Sequence, residues 1–434
     1  MHTGSIFSFL KSKDLSNSFL KSKDLSDFVQ LNEDASDIFL ECDGCNSIDK
    51  IIYNLSLKTG ENVDEISSVV PSFILNNKYL NVLDKAESRQ SFITGSHDFQ
   101  IPYRVLVELT DYCNWNCKHC YNDSSSSKHN FVDSANLIAF FREMSWYGCH
   151  TIELSGGEPL SHPQFSLILE EACRLSNRVI ILSNGTLINS EHIDVLKKYK
   201  DKIILRLTLN SSTSDFMDDF VGRSGAFNRV NEVISLVSNE GINVKVGMIC
   251  TPYNYTDMLN VAKLSKKLGA YELEIDLILP EGRAADNSDL IFFEDDLFKF
   301  DDKFNLLANE VGEFISKSEQ TVRESEDNDN AFTPGNCGAG VKSMCVTHQG
   351  YIKLCPIDVN NYFYHSIGNV FDEDFKSVFL KMEGFRFDKI DAPQATICGE
   401  CEHLSFCSGC IVRGFLMHDR IGNECVWAMH SSER

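Results

Sequence analysis

The stretch VLVELTDYCNWNCKHCY, residues 105–121, decides the fold of this chain. Its first five residues, 105–109, have the apolar and β-branched character of a buried strand. Three cysteines follow with the spacing CxxxCxxC: Cys113, Cys117 and Cys120. Three thiolates can hold three irons of a [4Fe–4S] cube and leave the fourth iron open to a small molecule. A zinc site would need a fourth ligand, and His119 is adjacent to Cys120, which is poor geometry for one metal ion.

Strand and helix patterns alternate downstream of this stretch. The predicted strands are 105–109, 151–154, 179–182, 203–209, 244–249 and 273–279, and the predicted helices are 134–147, 165–175, 191–199, 227–237, 258–268 and 297–315. Such alternation predicts an α/β fold with a parallel sheet and right-handed crossovers. Functional side chains should then lie at the C-terminal ends of the strands.

Composition limits the class of protein. The chain has 434 residues, of which 43% are hydrophobic, and 40 basic against 63 acidic residues give a net charge of −23. The apolar fraction excludes general disorder, and the acidic charge argues against a nucleic-acid binder. Neither a signal peptide nor an apolar run of membrane-spanning length is evident, so we expect a cytoplasmic protein with no membrane partner.

The 16 cysteines need an explanation other than disulfides in a reducing compartment. Eight of them lie in the final quarter: Cys337, Cys345, Cys355, Cys398, Cys401, Cys407, Cys410 and Cys425. The isolated Cys149, Cys173 and Cys250 lie in apolar segments and are interpreted as core residues. Cys42 and Cys45 form a lone pair, which lacks two ligands for zinc and is interpreted as a turn beside a helix.

The cysteine motif resembles that of the radical S-adenosylmethionine (SAM) superfamily, in which an aromatic residue, here Tyr121, follows the last cysteine. The segment SGGEP, residues 155–159, strengthens the resemblance. In that family this segment pairs with the amino group of SAM, which implicates Gly156, Gly157 and Glu158. The two glycines should allow the backbone to approach a ligand closely.

Other strand ends match the family as well. The resemblance implies that Ser183 and Asn184 contact the SAM ribose or carboxylate, and that Leu279 and the backbone of Tyr121 contact the adenine. The fourth strand ends in Asn210 and Ser211, where relatives often have Asp and Gly. The resemblance implies a partial (β/α)6 barrel over about residues 103–290. It also implies that SAM is cleaved to a 5′-deoxyadenosyl radical, which abstracts a hydrogen atom.

The tail resembles the SPASM extension of radical SAM peptide-modifying enzymes. Cys337, Gly350 and Cys355 match its first part, and the run from Cys398 to Cys425 matches its second. Two residues separate Cys407 from Cys410, where the family usually has three. The family's ligand order implies two auxiliary [4Fe–4S] clusters. One would use Cys337, Cys345, Cys355 and Cys410, and the other Cys398, Cys401, Cys407 and Cys425. A pair of structural zinc sites is the alternative.

Residues 27–98 resemble the winged-helix-like recognition element of enzymes that modify ribosomally made peptides. Such a module binds a leader peptide by adding a strand to a sheet edge, and a small structural domain is the alternative. The predicted organisation is a polar extension with a tandem decapeptide, the recognition element, the SAM barrel, a helix with an acidic linker, and the SPASM domain. The corresponding ranges are 1–26, 27–98, 99–290, 291–336 and 337–434.

Together these features predict a radical SAM enzyme that oxidises a precursor peptide and installs a thioether, carbon–carbon or ether crosslink. It would require SAM, three [4Fe–4S] clusters and an electron donor such as flavodoxin or ferredoxin. The alternatives are formylglycine-type oxidation, modification of a tetrapyrrole, and a scaffold protein without activity. No catalytic base is identifiable, since buried pairing is the favoured interpretation of Glu153, Glu274 and Asp276.

Overall fold

The computed structural model describes thirteen segments of the chain, and statements about structure refer to them. They are residues 6–10, 28–31, 37–38, 40–42, 46–76, 91–95, 99, 101–278, 281–292, 294–317, 337–357, 367–385 and 390–428. The chain divides into two compact units. The first comprises Met1–Ile101 with Met144–Gly148, and the second comprises Pro102–Glu143 with Cys149–Arg434. No helix in the described segments is long and apolar enough to cross a membrane.

The first unit contains a three-stranded antiparallel sheet and two helices. The strands are β1 (Ile6–Leu10), β2 (Phe28–Leu31) and β3 (Ser91–Gly95), in the order β2-β1-β3, and the helices are α1 (Ile48–Thr59) and α2 (Val63–Asn76). Ser47 caps α1 by accepting a hydrogen bond from Lys50 N. Cys42 is buried with the apolar faces of both helices. The turn predicted for the Cys42 and Cys45 pair includes residues 43–45, which lie outside the described residues.

The sequence located none of the three strands of this sheet. β1 falls in the predicted polar extension, residues 1–26, and β2 and β3 fall in residues 27–98, where no strand was located. Helix α2 runs without a break to Asn76 and includes Pro71. Short strands depend on partners distant in sequence, so their local pattern carries little signal. The assignment of this unit as a recognition element remains a prediction.

The second unit is built on a parallel sheet, as predicted. Its first six strands are β4 (Arg104–Glu108), β5 (Thr151–Ser155), β6 (Arg178–Ser183), β7 (Ile203–Thr208), β8 (Asn243–Cys250) and β9 (Glu272–Leu277). The helices between them are α3 (Ser134–Trp146), α4 (Phe165–Leu175), α5 (Ser190–Lys198), α6 (Ser214–Val221), α7 (Ala226–Asn239) and α8 (Met258–Lys267). Each strand pairs in parallel with the next along the chain. Helix α6 was not among the predicted helices.

The sheet continues beyond these six strands on both sides. After α9 (Glu294–Val311), β10 (Ile315–Lys317) pairs with β9. On the other side β11 (Ser343–Val346) runs parallel to β4, and β12 (Ile352–Lys353) runs antiparallel to β11. The cysteine-rich tail therefore begins as part of the barrel sheet. It ends in α10 (Phe375–Phe385), α11 (Ala395–Cys398), α12 (Leu404–Cys407) and α13 (Ile411–Ile421).

The two faces of the sheet differ in chemistry. Side chains such as Val105, Leu205 and Val246 are fully buried on one face. The opposite face carries ion pairs, in which Arg206 binds Glu274 and Asp276, and Arg104 binds Glu153 at 3.4 Å. All three acidic residues are paired with neighbouring cations, and Glu153 and Asp276 are buried whereas Glu274 is partly buried.

Candidate functional site

The cysteine motif lies in a loop at the C-terminal edge of the sheet. We name residues 111–123 the cluster loop, because they follow β4 and contain Cys113, Cys117 and Cys120. The SGGEP segment after β5 binds this loop through its backbone. Gly157 N donates to Thr110 O at 2.7 Å, and Glu158 N donates to Tyr112 O at 2.8 Å. Two segments separated in sequence are therefore fixed together where the strands end.

Glycine is required in the SGGEP segment because another backbone lies against it. A Cβ on Gly157 would stand 2.0 Å from Tyr112 O, and one on Gly156, which has a φ of +126°, would stand 2.5 Å from Thr110 O. We expected these glycines to make room for a ligand. The nearest atoms belong to the cluster loop and to the two residues before it, so the glycines make room for protein backbone. Contact of Gly156 and Gly157 with SAM remains a prediction.

Replacing Gly157 with alanine should therefore displace the cluster loop. Overpacking of this kind costs about 1–3 kcal/mol, and we expect iron binding at the loop to fall with it. Thermal unfolding and iron content after reconstitution would measure the two effects. Gly60→Ala is a control, since it strains a positive φ but places no atom within 4 Å of the new Cβ. Full iron content in Gly157→Ala would refute this explanation.

The Glu158 carboxylate is fully buried and holds two strand ends together. It accepts hydrogen bonds from Ser183 Oγ at 2.6 Å, Asn184 N at 2.8 Å and Leu160 N at 3.0 Å. Burial raises the pKa of Glu158 to about 7, although these three donors favour the charged form. The carboxylate thus joins the end of β5 to the end of β6. Its expected contact with SAM remains a prediction.

Ser183 and Asn184 also make contacts within the protein. Ser183 Oγ accepts from Gly185 N, and the Asn184 side chain donates to Asn114 Oδ1 at 2.8 Å. Asn114 in turn donates to Thr186 Oγ1 at 3.0 Å. Because Asn114 belongs to the cluster loop, the end of β6 positions that loop. Contact of Ser183 and Asn184 with SAM remains a prediction.

The C-terminal end of α6 contacts the cluster loop from another side. Asn116 N donates to Val221 O at 3.1 Å, and Lys118 N donates to Phe220 O at 3.0 Å. The His119 ring stacks on Phe220 with centroids 4.4 Å apart. Sequence reasoning missed these contacts, although the apolar spacing of SDFMDDFV, residues 214–221, followed by a glycine, indicates a short helix with a C-cap.

A turn after β9 contacts the cluster loop through Gly282 and Arg283. A Cβ on Gly282 would lie 2.2 Å from Tyr121 O, so this turn packs against the backbone of the loop. Arg283 N donates to Cys120 O at 2.9 Å, and its Nε donates to Cys117 O at 2.8 Å. Its Nη1 pairs with Asp123 at 2.9 Å. The adenine contact predicted for Leu279 lies outside the described residues.

The three thiols of the cluster loop lie close enough to influence one another's ionisation. Burial, followed by the charge of Glu158, raises the pKa of Cys113 to about 12. Burial also raises the pKa of Cys117 well above its usual value, and Cys113 and Cys120 add to that effect. Before iron binds, the thiols of Cys113 and Cys117 are therefore neutral at pH 7. Ligation of iron must release their protons.

Four cysteines of the tail line one cavity, namely Cys398, Cys401, Cys407 and Cys425. The cavity wall also includes the apolar side chains of Pro393, Leu404, Met417 and Trp427. These four cysteines are the ones that the SPASM resemblance implies as ligands of one cluster. An apolar lining that excludes water suits an iron–sulfur group. Within the described segments, no three Cys, His, Asp or Glu side chains are arranged to hold a single metal ion.

The remaining tail cysteines are only partly brought together. Cys345 is buried on β11, and its thiol is close enough to Cys355 for the two to interact electrostatically. Cys337 is exposed, and Cys410 N donates to Cys407 O at 3.0 Å. Ligation of a further cluster by Cys337, Cys345, Cys355 and Cys410 remains a prediction. The isolated Cys149, Cys173 and Cys250 are buried, in agreement with a core role.

Family models match two parts of the chain. Residues 107–265 match the radical SAM superfamily, and residues 337–402 match the SPASM iron–sulfur cluster-binding domain. The first match covers the cluster loop and the strands around it. The second begins at Cys337 and includes Cys401 but ends before Cys407, so it covers only part of the cysteine-lined cavity.

Curated relatives cover most of the chain. The antilisterial bacteriocin subtilosin biosynthesis protein AlbA of Bacillus subtilis is 28% identical over 369 residues, which are 82% of this chain and 78% of AlbA. An AdoMet-dependent heme synthase of Oleidesulfovibrio alaskensis is 26% identical, over 72% of this chain and 83% of that protein. Both alignments thus extend well beyond the cysteine motif.

Solved structures share the fold. SuiB of Streptococcus suis bound to its precursor peptide SuiA superposes with a TM-score of 0.63 at 15% identity, covering 90% of this chain and 92% of that chain. SuiB bound to S-adenosylmethionine superposes with a TM-score of 0.58 at 14% identity, covering 82% of this chain and 79% of that chain. At this level of identity the likeness concerns the fold alone.

Proposed function

This chain carries a radical SAM domain followed by an SPASM domain, and on that premise we propose that it oxidises a ribosomally made precursor peptide. The product we propose carries an intramolecular crosslink, which is a thioether, carbon–carbon or ether bond. The supporting observation is that one chain contains two separate sets of neighbouring cysteines. One lies in the cluster loop, and the other lines the cavity at Cys398, Cys401, Cys407 and Cys425.

We propose that Cys113, Cys117 and Cys120 hold a [4Fe–4S] cluster with one open iron. When bound, this cluster and SAM supply a carbon radical that removes a hydrogen atom from the peptide. The donor set fits, because three soft ligands are crowded together in a loop that neighbouring segments hold on several sides. The backbone of Gly157 and Glu158 would bind SAM, while the contacts of the Glu158 carboxylate with Ser183 and Asn184 fix that backbone.

The tail would hold the auxiliary clusters that accept an electron from the oxidised peptide. We propose three clusters in total, which predicts about 12 Fe per chain. Reduction would come from a small electron-transfer protein such as flavodoxin or ferredoxin. The first unit would bind the leader of the precursor along an edge of its sheet. AlbA is a bacteriocin biosynthesis protein, and SuiB has been solved with a precursor peptide, which supports a peptide substrate here.

The proposed function is tested with a precursor peptide, to be sought as a short open reading frame beside the gene. The full-length protein, reconstituted and reduced without oxygen, is incubated with SAM and that peptide. A crosslink removes two hydrogen atoms, so the product should be lighter by that mass. Formation of 5′-deoxyadenosine without any change in peptide mass would contradict crosslinking.

Iron content tests the ligand set of the cavity separately. Cys407→Ala should lower the iron content from about 12 to about 8 atoms per chain, because one complete cluster is lost. Cys173→Ala removes a thiol of the same size from the core of α4 and should leave the iron content unchanged. Equal iron content in the two variants would show that Cys407 is not a cluster ligand.

A tetrapyrrole substrate is the second candidate, because the heme synthase of Oleidesulfovibrio alaskensis is almost as similar as AlbA. The longer alignment with AlbA, 82% against 72% of this chain, favours the peptide. Incubation with a tetrapyrrole in place of the peptide distinguishes them. Modification of the tetrapyrrole, with the peptide left unchanged, would establish this second function.

A further inference from the structure

A buried ion pair joins the radical SAM part of the sheet to the tail. Lys353 Nζ on β12 lies 2.8 Å from Glu108 Oε1 on β4, and each side chain is only 4% exposed. Removing two charges from water is costly, and replacing such a pair with apolar residues is often neutral or stabilising. Stability alone is therefore a weak explanation for this pair.

The register of the strands places the pair beside a cysteine of the tail. Lys353 lies opposite Cys345 of β11, and Cys345 lies opposite Leu106 of β4. Glu108 is two residues beyond Leu106 and so shares its face of the sheet. The Lys353 side chain therefore crosses β11 at Cys345 to reach Glu108. The Glu108 carboxylate is also close enough to the Cys345 thiol for the two to interact electrostatically.

The same place adjoins the cluster loop. Tyr121, which follows Cys120, interacts electrostatically with Glu108, Cys345 and Cys355. Glu108 itself ends β4, a short distance along the chain before Cys113. Glu108 of the ion pair thus lies near both Tyr121, which follows the last thiol of the cluster loop, and the thiol of Cys345.

We propose that Lys353 and Glu108 set the reduction potential of the iron–sulfur group bound at Cys345 and Cys355. The inference rests on the proposed ligation of that group by these two cysteines. An iron–sulfur group becomes more negative on reduction, so a nearby cation raises its potential and a nearby anion lowers it. In a buried site this effect is weakly screened. Lys353 would favour reduction, and Glu108 would moderate it.

Single and double variants of the full-length reconstituted protein test this inference. Lys353→Met should lower the midpoint potential of the group, and Glu108→Gln should raise it. The double variant removes both charges, so its potential should return towards that of the unmodified protein. Lys353→Arg keeps the charge and should keep the potential. Should Lys353→Met fail to fold, Lys353→Gln takes its place. Potentials are read from a redox titration followed by electron paramagnetic resonance, and the signal missing in Cys345→Ala identifies the group.

Arg104→Met is the matched control, since it breaks another ion pair of β4 at the opposite end of that strand. The midpoint potential of the iron–sulfur group should be unchanged in this variant. Unchanged potentials in Lys353→Met and Glu108→Gln, at full iron content, would overturn the inference and leave the pair a structural tie. Full iron content in Cys345→Ala would instead contradict the ligation proposed for Cys345. The two failures are therefore distinguishable.

Discussion

Replacing Cys117 with alanine is expected to abolish cleavage of SAM while the chain stays folded. Cys117 is the central thiol of the cluster loop, and without it only two irons of a cube would have ligands there. The loop itself should persist, because Asn116 N, Cys117 O and Lys118 N are held by backbone or Arg283 contacts that alanine retains. Production of 5′-deoxyadenosine, measured by mass spectrometry, should fall to background.

Iron content and a core cysteine complete this test. Cys117→Ala should bind about 8 Fe instead of about 12, since the two auxiliary groups remain. Cys250→Ala makes an equal change at a fully buried thiol on β8 and should retain both cleavage and iron. Cleavage of SAM by Cys117→Ala at the rate of the unmodified protein would show that the cluster loop does not hold the reactive cluster.

Replacing Arg283 with methionine is expected to make that cluster labile. The guanidinium binds Cys117 O and Asp123, so it fixes the loop without binding iron itself. Loss of such supporting contacts typically costs about 10–100-fold in metal affinity or activity. The loss should appear as faster release of iron to a chelator, together with less 5′-deoxyadenosine.

One further variant separates the geometry of Arg283 from its charge, and a second variant serves as a control. Arg283→Lys keeps the charge but cannot reproduce the planar fork, so we expect an intermediate rate of iron release. Lys202→Met is the control, because Lys202 binds two carbonyls, Cys173 O at 2.7 Å and Ser176 O at 2.9 Å, at the N-terminal edge of the sheet, opposite to the cluster loop. If Arg283→Met retained its iron as long as Lys202→Met, the positioning role of Arg283 would be wrong.

Much of the second unit could be predicted from its sequence, because local patterns define its elements. Helix α4 was predicted at Phe165–Leu175, the bounds that it has, since its apolar residues repeat with helical spacing. β11 escaped prediction because its parallel partner β4 lies far away in sequence. No local pattern shows that a strand of the tail will extend the barrel sheet.

The candidate site could be predicted only in part, because local motifs do not show contacts between distant segments. The motifs indicated which residues gather at the strand ends, but not what each of them touches. The motif does not show, for example, that Tyr112 O lies 2.0 Å from the place where a Cβ on Gly157 would stand. The contacts of Arg283 with the cluster loop and of Lys353 with Glu108 join residues distant in sequence. Only the folded chain shows such pairs.

The most direct test of the account uses a precursor peptide that carries deuterium at its side-chain and Cα positions. The reduced, reconstituted protein is incubated with this peptide and unlabelled SAM. If the peptide is the substrate of the radical chemistry, deuterium should appear in the 5′-deoxyadenosine. The peptide should lose two hydrogen atoms, at least one of them deuterium. A modified peptide accompanied by unlabelled 5′-deoxyadenosine would contradict the central claim.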